Sequence, residues 1–209
     1  MYASNVALMQ GMVTACGAST SSVQVTSDDA AELANALLGA LGADLILTTG
    51  GSGRSSRDIV RTALLDHEAG SLWNTPLRGS KPIALRLLRE SKTGRLVPHL
   101  ALPGRPIAAT VAFILFAYPL LRRLAGLPPT PRACCRARVT TAIDGSPGHN
   151  RYIPVRLHRG IGGWHAVPQT ESTLYGLAAT GASHGFIMPG RRTGALARGQ
   201  RVRVLLPPW

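Results

Sequence analysis

Apolar positions change their spacing along the chain, and the change separates two kinds of structure. Over residues 5–16 they recur three and four apart, at Val6, Met9, Val13 and Cys16, which predicts a helix with one buried stripe that Gly17 stops. The stretch SSVQV at 21–25 reads as a short strand. Thr26 or Ser27 can cap a second helix, with Asp28 and Asp29 in its first turn and an end near Gly42. DLILTT, 44–49, is a continuous apolar run of the kind buried on both faces of a parallel sheet. A helix is expected over residues 56–67, with Ile59, Val60, Ala63, Leu64 and Leu65 available to face that sheet. This strand-helix alternation predicts an α/β layer with right-handed crossovers.

Farther on, KPIALRLLRE and RLVPHLALPG are strand-like runs joined by SKTG, a tight-turn composition. Pro106 sits where a long helix would start, since its missing N–H costs nothing there, and the helix should run to Ala125 before Gly126. LPPTP, 127–131, is too proline-rich to continue it and marks a boundary. Beyond it CCRARVTTAI, RYIPVRLHR, WHAVPQ, GFIMP and RVRVLL are short strand candidates separated by Gly, Pro and Ser, with one helical turn at most within 172–180. The expected organisation is an α/β domain over 1–127 and a small β domain over 132–209.

Composition narrows the partners. The chain has 209 residues, enough for one sizeable core or for a medium domain and a small one, and 45% apolar residues argue that it folds. A net charge of +13 favours anionic ligands: nucleic acid, acidic lipid headgroups, or a small phosphorylated or oxyanion molecule. The basic residues form no block of five or six, and aromatics are 5%, so a stacking platform for single-stranded nucleic acid is poorly supplied. Cys16, Cys134 and Cys135 make neither a disulfide framework nor a metal knuckle, which suits a reducing, cytoplasmic setting. The N-terminus lacks the basic start of a signal peptide. Residues 107–121 carry no charge, but they are fewer than the roughly 18 to 20 a span requires, and Pro119 interrupts them. A buried helix is expected there, not a membrane segment.

Three loops concentrate the unusual chemistry. In TTGGSGRSSRD the small residues Thr48, Thr49, Gly50, Gly51 and Ser52 follow a strand and precede a helix, so backbone N–H groups and a helix N-terminus can cradle an anion. Asp58 closes that segment. In LRGSKP, Arg78 and Lys81 flank a turn containing Ser80, and two cations could converge on one oxyanion. In LPGRP, Pro103 and Pro106 enclose Gly104 and freeze a loop at a strand end, a rigid wall for a ligand or a plain strand-to-helix corner. His67, His99 and His184 have no metal-ligand spacing and read as surface or packing residues. No nucleophile elbow, P-loop or dinucleotide fingerprint is present.

The order of these loops resembles the C-terminal two-thirds of the MoeA family, the molybdopterin molybdenumtransferases related to the gephyrin E domain. TGGSGRSSRD is similar to that family's TGGxSxGxxD and sets Thr49, Gly50, Gly51 and Asp58 on matching positions. RGSKP is similar to KPGKP, with Arg78, Lys81 and Pro82 aligned, and LPGRP keeps Pro103, Gly104 and Pro106 of LPGNP. ESTLYGLAATGASHGFIMP and the opening YASN match a C-terminal segment and the DSN of a first helix. Gly53, Ser55, the RGSK form and Arg105 depart from the pattern, and the family's upstream strand with its acidic TGDE-like turn is not found.

The resemblance implies a molybdopterin-binding (MogA/MoaB-like) three-layer α/β sheet domain, apparently lacking its first strand, followed by a small C-terminal β-barrel-like domain. A truncated start, a partner chain that completes the sheet, or a degenerate relative would each account for that gap. The implied activity is insertion of molybdate into adenylylated molybdopterin with release of AMP, assisted by Mg2+ or a similar divalent ion, in a homodimer. On that reading Thr48, Thr49, Gly50, Gly51, Ser52 and Ser80 hold the pterin phosphate, and Arg78 and Lys81 meet molybdate or phosphate oxygens. Asp58 serves a metal or the reacting centre, and Pro103, Gly104 and Pro106 form the adjoining wall. A non-catalytic pterin- or molybdate-binding subunit and, more remotely, a basic nucleic-acid-binding protein are the alternatives.

Overall fold

The computed structural model of the chain describes residues 4–27, 29–50, 68–76, 82–128, 133–144, 152–169, 176–188 and 195–209. Helix α1, Ser4–Ala15, ends before Gly17 as expected and buries Met9 of the expected stripe together with Met12 outside it, while Val6, Val13 and Cys16 are half-buried. Residues 18–27 are not the expected strand. Val23 and Val25 stand exposed, because two valines with no strand to pair with among the described residues bury nothing by extending. Helix α2, Ala30–Gly39, starts one cap later than expected. Asp29, not Thr26 or Ser27, accepts the Glu32 N–H at 2.8 Å, while Ser27 donates to the Glu32 carboxylate and braces the turn.

Strands β1 (Ile46–Thr49), β2 (Glu68–Pro76), β3 (Pro82–Arg89) and β4 (Leu96–Leu102) form one sheet in the order β1-β4-β3-β2. Only β1 and β4 run parallel; β4 with β3 and β3 with β2 are antiparallel, so the sheet is mixed, with DLILTT in the parallel pair and the two runs flanking SKTG folded back on each other. The reason is local. Two strands joined by the short turn at SKTG can only fold back on each other. The expected helix at 56–67 lies outside the described residues.

The sheet is the middle of three layers. Leu47, Ile83, Leu100 and Leu102 face α1 and a long helical segment, whereas Ile46, Leu88 and Val97 face Leu37 of α2 and Leu41 just beyond its end. That segment comprises α3 (Pro106–Ala112), a π-helical turn (Phe113–Ala117) and α4 (Tyr118–Leu124). Its 19 residues are long and apolar enough to cross a membrane. Here Ala109, Thr110, Val111, Ala112, Phe113, Ile114, Leu115 and Ala117 are buried instead in the core, which accounts for their composition.

The rest of the described chain makes a closed barrel in the order β5-β7-β6-β8-β9. Its strands are β5 (Cys134–Val139), β6 (Ile153–Gly160), β7 (Gly163–Pro168), β8 (Gly185–Ile187) and β9 (Arg201–Leu205), one from each of the five expected runs. A short helix, α5 (Gly176–Gly181), precedes β8. Val139, Val155, Ala166 and Val204 fill the barrel interior. Phe186 and Leu205 instead join Phe113 and Ile114 in the first core, so sheet, long helix and barrel share one apolar cluster.

Candidate functional site

Parallel pairing sets the end of the sheet where the loops meet. Thr49 is level with Leu102, so β1 and β4 finish together and release the TTG and LPGRP turns side by side. The antiparallel pairing of β2 with β3 sets the end of one and the start of the other at the same sheet end, because Pro76 pairs with Pro82 and Ala84 with Ala101. Ligands of α/β sheets bind outside the carboxyl ends of parallel strands, which is this end.

Successive side chains of a strand point to opposite faces, and the two threonines that end β1 are held on both. On one face the Thr49 hydroxyl donates to the Pro103 carbonyl at 3.1 Å and accepts from Asn5 Nδ2 at 3.1 Å. The same Asn5 amide donates to the Gly104 carbonyl at 2.7 Å. One side chain from the first turn of α1 therefore ties the two turns together. Its Oδ1 is buried with no hydrogen-bond partner among the described residues.

On the other face Thr48 Oγ1 lies 3.0 Å from His99 Nε2. His99 is fully buried on β4 opposite Arg86 of β3. Burial, and secondarily the Arg86 guanidinium, push its pKa down to about 3, so the ring is neutral. A neutral imidazole can meet the Thr48 hydroxyl as donor or as acceptor, whichever tautomer it holds.

The turns touch through backbone alone. Gly50 has φ +89°, the left-handed region that favours glycine. A Cβ built on Gly104 would stand 3.1 Å from Gly50 Cα, so no side chain fits there without displacing the neighbouring turn. Pro103 is buried, and Pro106 occupies the first turn of α3 as its sequence position predicts. Arg105 is the N-cap of α3 but makes no side-chain cap hydrogen bond and is exposed.

Of the expected site residues, Thr48, Thr49, Gly50, Pro103, Gly104 and Pro106 thus meet at one sheet end. Gly51, Ser52, Asp58, Arg78, Ser80 and Lys81 lie outside the described residues. The sequence gives Asn5 no role and reads His99 as a surface or packing residue. The available signals were a polar residue in the first turn of an apolar helix, within the YASN match, and a lone histidine inside an apolar strand. Neither spacing names its partner, which lies 44 or 99 residues away for Asn5 and 51 away for His99.

Residues 1–123 match the model of a family described as probable molybdopterin binding domain. The chain is 31% identical over 157 residues to molybdopterin molybdenumtransferase 2 of Mycobacterium tuberculosis, in both the CDC 1551 and the H37Rv strains. That match takes in 72% of this chain and 37% of the relative's length. Among solved structures it resembles the molybdopterin biosynthesis MoeA protein of Pyrococcus horikosii, with a TM-score of 0.77 and 20% identity, covering 98% of this chain and 48% of that one. A molybdenum cofactor biosynthesis protein from Pyrococcus furiosus is similar with a TM-score of 0.68 and 19% identity, over 97% of this chain and 64% of that one.

Proposed function

Because the chain belongs to the family of probable molybdopterin binding domains, we propose that it works in molybdenum cofactor biosynthesis, inserting molybdate into adenylylated molybdopterin with release of AMP. The observation that carries this reading is the Asn5 clasp. It joins the TTG and LPGRP turns at the sheet end where Pro76 and Pro82 bracket the RGSK segment.

In this proposal Thr48, Thr49, Gly50, Gly51 and Ser52, with Ser80, hold the pterin phosphate, largely through backbone N–H groups. Arg78 and Lys81 neutralise molybdate and phosphate oxygens, and Pro103, Gly104 and Pro106 wall the pterin in. The ligand is polyanionic, so the chain's work is to position it and to offset the charge that builds as AMP leaves. Mg2+ or a similar divalent ion would add Lewis acidity beside Asp58. Among the described residues no set of three His, Cys, Asp or Glu side chains comes together, and no step is routed through the ion. The proposal extends to a division between 1–127 and 132–209 and to a homodimer in the cytoplasm.

One observation favours a second reading, a pterin- or molybdate-binding subunit without turnover. Arg105 leaves α3 without a side-chain cap at the turn that would wall the ligand. The full chain incubated with adenylylated molybdopterin and molybdate separates the two. AMP release that falls roughly a hundredfold in Lys81→Ala supports transfer. Retained pterin without AMP supports the binding subunit, and neither AMP nor retained pterin overturns both.

A further inference from the structure

Charge is concentrated in the barrel half of the chain. Residues 132–209 contain eleven arginines, no lysine and two acidic residues, Asp144 and Glu171. Strand register then sets part of that charge in order. Arg136 of β5 lies opposite Arg203 of β9, and Arg138 opposite Arg201. On the other side of β5, Arg138 is level with His165 of β7, which is level with His158 of β6. Ala137, Val139, Ala166, Val202 and Val204 fill the interior, so alternation turns these six side chains outward. Arg201, Arg138, His165 and His158 form a row across four strands, about 14 Å long at ordinary strand spacing.

Like charges directly opposite each other destabilise a sheet, and here two arginine pairs do so side by side. None of the four has a carboxylate partner among the described residues, where the ion pairs are those of Arg95 with Asp44 and Glu90. A bound polyanion would remove that repulsion. Beside the arginines the His158 and His165 rings are stacked, with centroids 5.3 Å apart and planes 18° apart. The Cδ2–Nε2 edge of His165 packs against Gly160, where a Cβ would come within 2.9 Å of Cδ2, and its Nε2 is 3.1 Å from the Ile161 carbonyl. Pairing of β6 with β8 stops at Val155, beyond which the Leu157 N–H donates to His184 Nδ1 at 3.1 Å; among the described residues no strand flanks His158 on that side, and it is exposed.

We infer that this barrel face binds single-stranded nucleic acid, with the arginines on successive phosphates and an unpaired base stacked on His158. Guanidinium forks match phosphate oxygens, and a basic track beside a planar ring is how strands are held without base pairing. A stacked ring pair adds nothing for an acidic protein surface. Among its described residues the face presents no helix or ribbon to enter a duplex major groove. The low aromatic content does not weigh against this, since the platform is made of imidazoles.

The test uses the full chain and a fluorescent dodecathymidylate titrated at several salt concentrations. Arg138→Gln with Arg201→Gln should reduce the slope of log affinity against log salt by about 1.4, as two lost contacts to a single strand require. Lys92→Gln with Arg123→Gln removes the same charge from exposed sites elsewhere and should leave the slope unchanged. His158→Ala should weaken binding about fivefold at every salt concentration. The Arg138 and Arg201 variant should melt no lower than the parent, because a repelling pair has been removed, which separates lost binding from lost folding. Absence of binding at low salt, equal loss in both double variants, or displacement by polyglutamate as effective as by unlabelled oligonucleotide would each overturn the inference.

Discussion

At the scale of single residues, His99 is where burial and chemistry meet. Its pKa falls from an ordinary 6.5 to about 3 because charging it would put a cation in the sheet interior beside Arg86. Between those two values the unfolded chain binds a proton that the folded chain refuses, so stability rises with pH across that window. The contribution is complete above about pH 6.5 and is lost as the pH falls toward 3. From pH 7 to pH 5 the parent should lose about 2 kcal/mol more than His99→Gln, read by urea unfolding of both proteins. Equal pH dependence in the two would show that His99 is not the group responsible. Gly104 is constrained by space rather than charge. Its missing Cβ leaves Gly50 Cα room that Gly104→Ala would close to 3.1 Å. We expect a cost of about 1 kcal/mol in urea unfolding and weaker retention of pterin.

At the scale of elements, sequence legibility follows how local the determining interaction is. Helix α1 is written in its own apolar spacing, and the β3–β4 hairpin in two apolar runs and the turn between them. The TTG and LPGRP turns are legible too, because Gly50 takes a left-handed backbone that other residues rarely adopt and Pro103 and Pro106 fix φ on either side of Gly104. Strand β2 was not. EAGSLWNTP lacks a clean apolar alternation, and it is a strand because β3 supplies its partners. The converse holds for residues 21–25, which alternate but have no strand beside them among the described residues. The clasp of Asn5 and the Thr48–His99 bond depend on register across three elements, which no local pattern encodes. The helix cap is a nearer miss, since Asp29 and Ser27 are equally good cap residues and the choice between them rests on one turn of backbone. Asp29→Ala should cost about 1 kcal/mol and Asp29→Asn much less, because asparagine keeps the acceptor for the Glu32 N–H. Equal losses from both in thermal melts would place the cap elsewhere.

At the scale of the whole molecule, the proposed division between 1–127 and 132–209 runs through shared apolar packing. Phe186 and Leu205 belong to the barrel by their hydrogen bonds and to the first core by their side chains. Cys134 and Met188 pack against the same core from the barrel, with their sulfurs 3.8 Å apart, and the Phe113 ring meets Trp209 edge-on at 6.2 Å. A barrel anchored this way cannot swing freely, so the basic face stays at a fixed distance from the sheet end where the loops converge. It also means that the two parts should unfold together. Leu205 is fully buried, and Leu205→Ala should cost 2 to 5 kcal/mol, by the usual sum of lost transfer energy and residual cavity. The loss should appear equally in amide exchange of β4, in the sheet, and of β5, in the barrel, because both strands border the shared cluster. If only the barrel lost protection, the two parts would be independent folding units that merely touch, and the long helix would need another explanation for its apolar length.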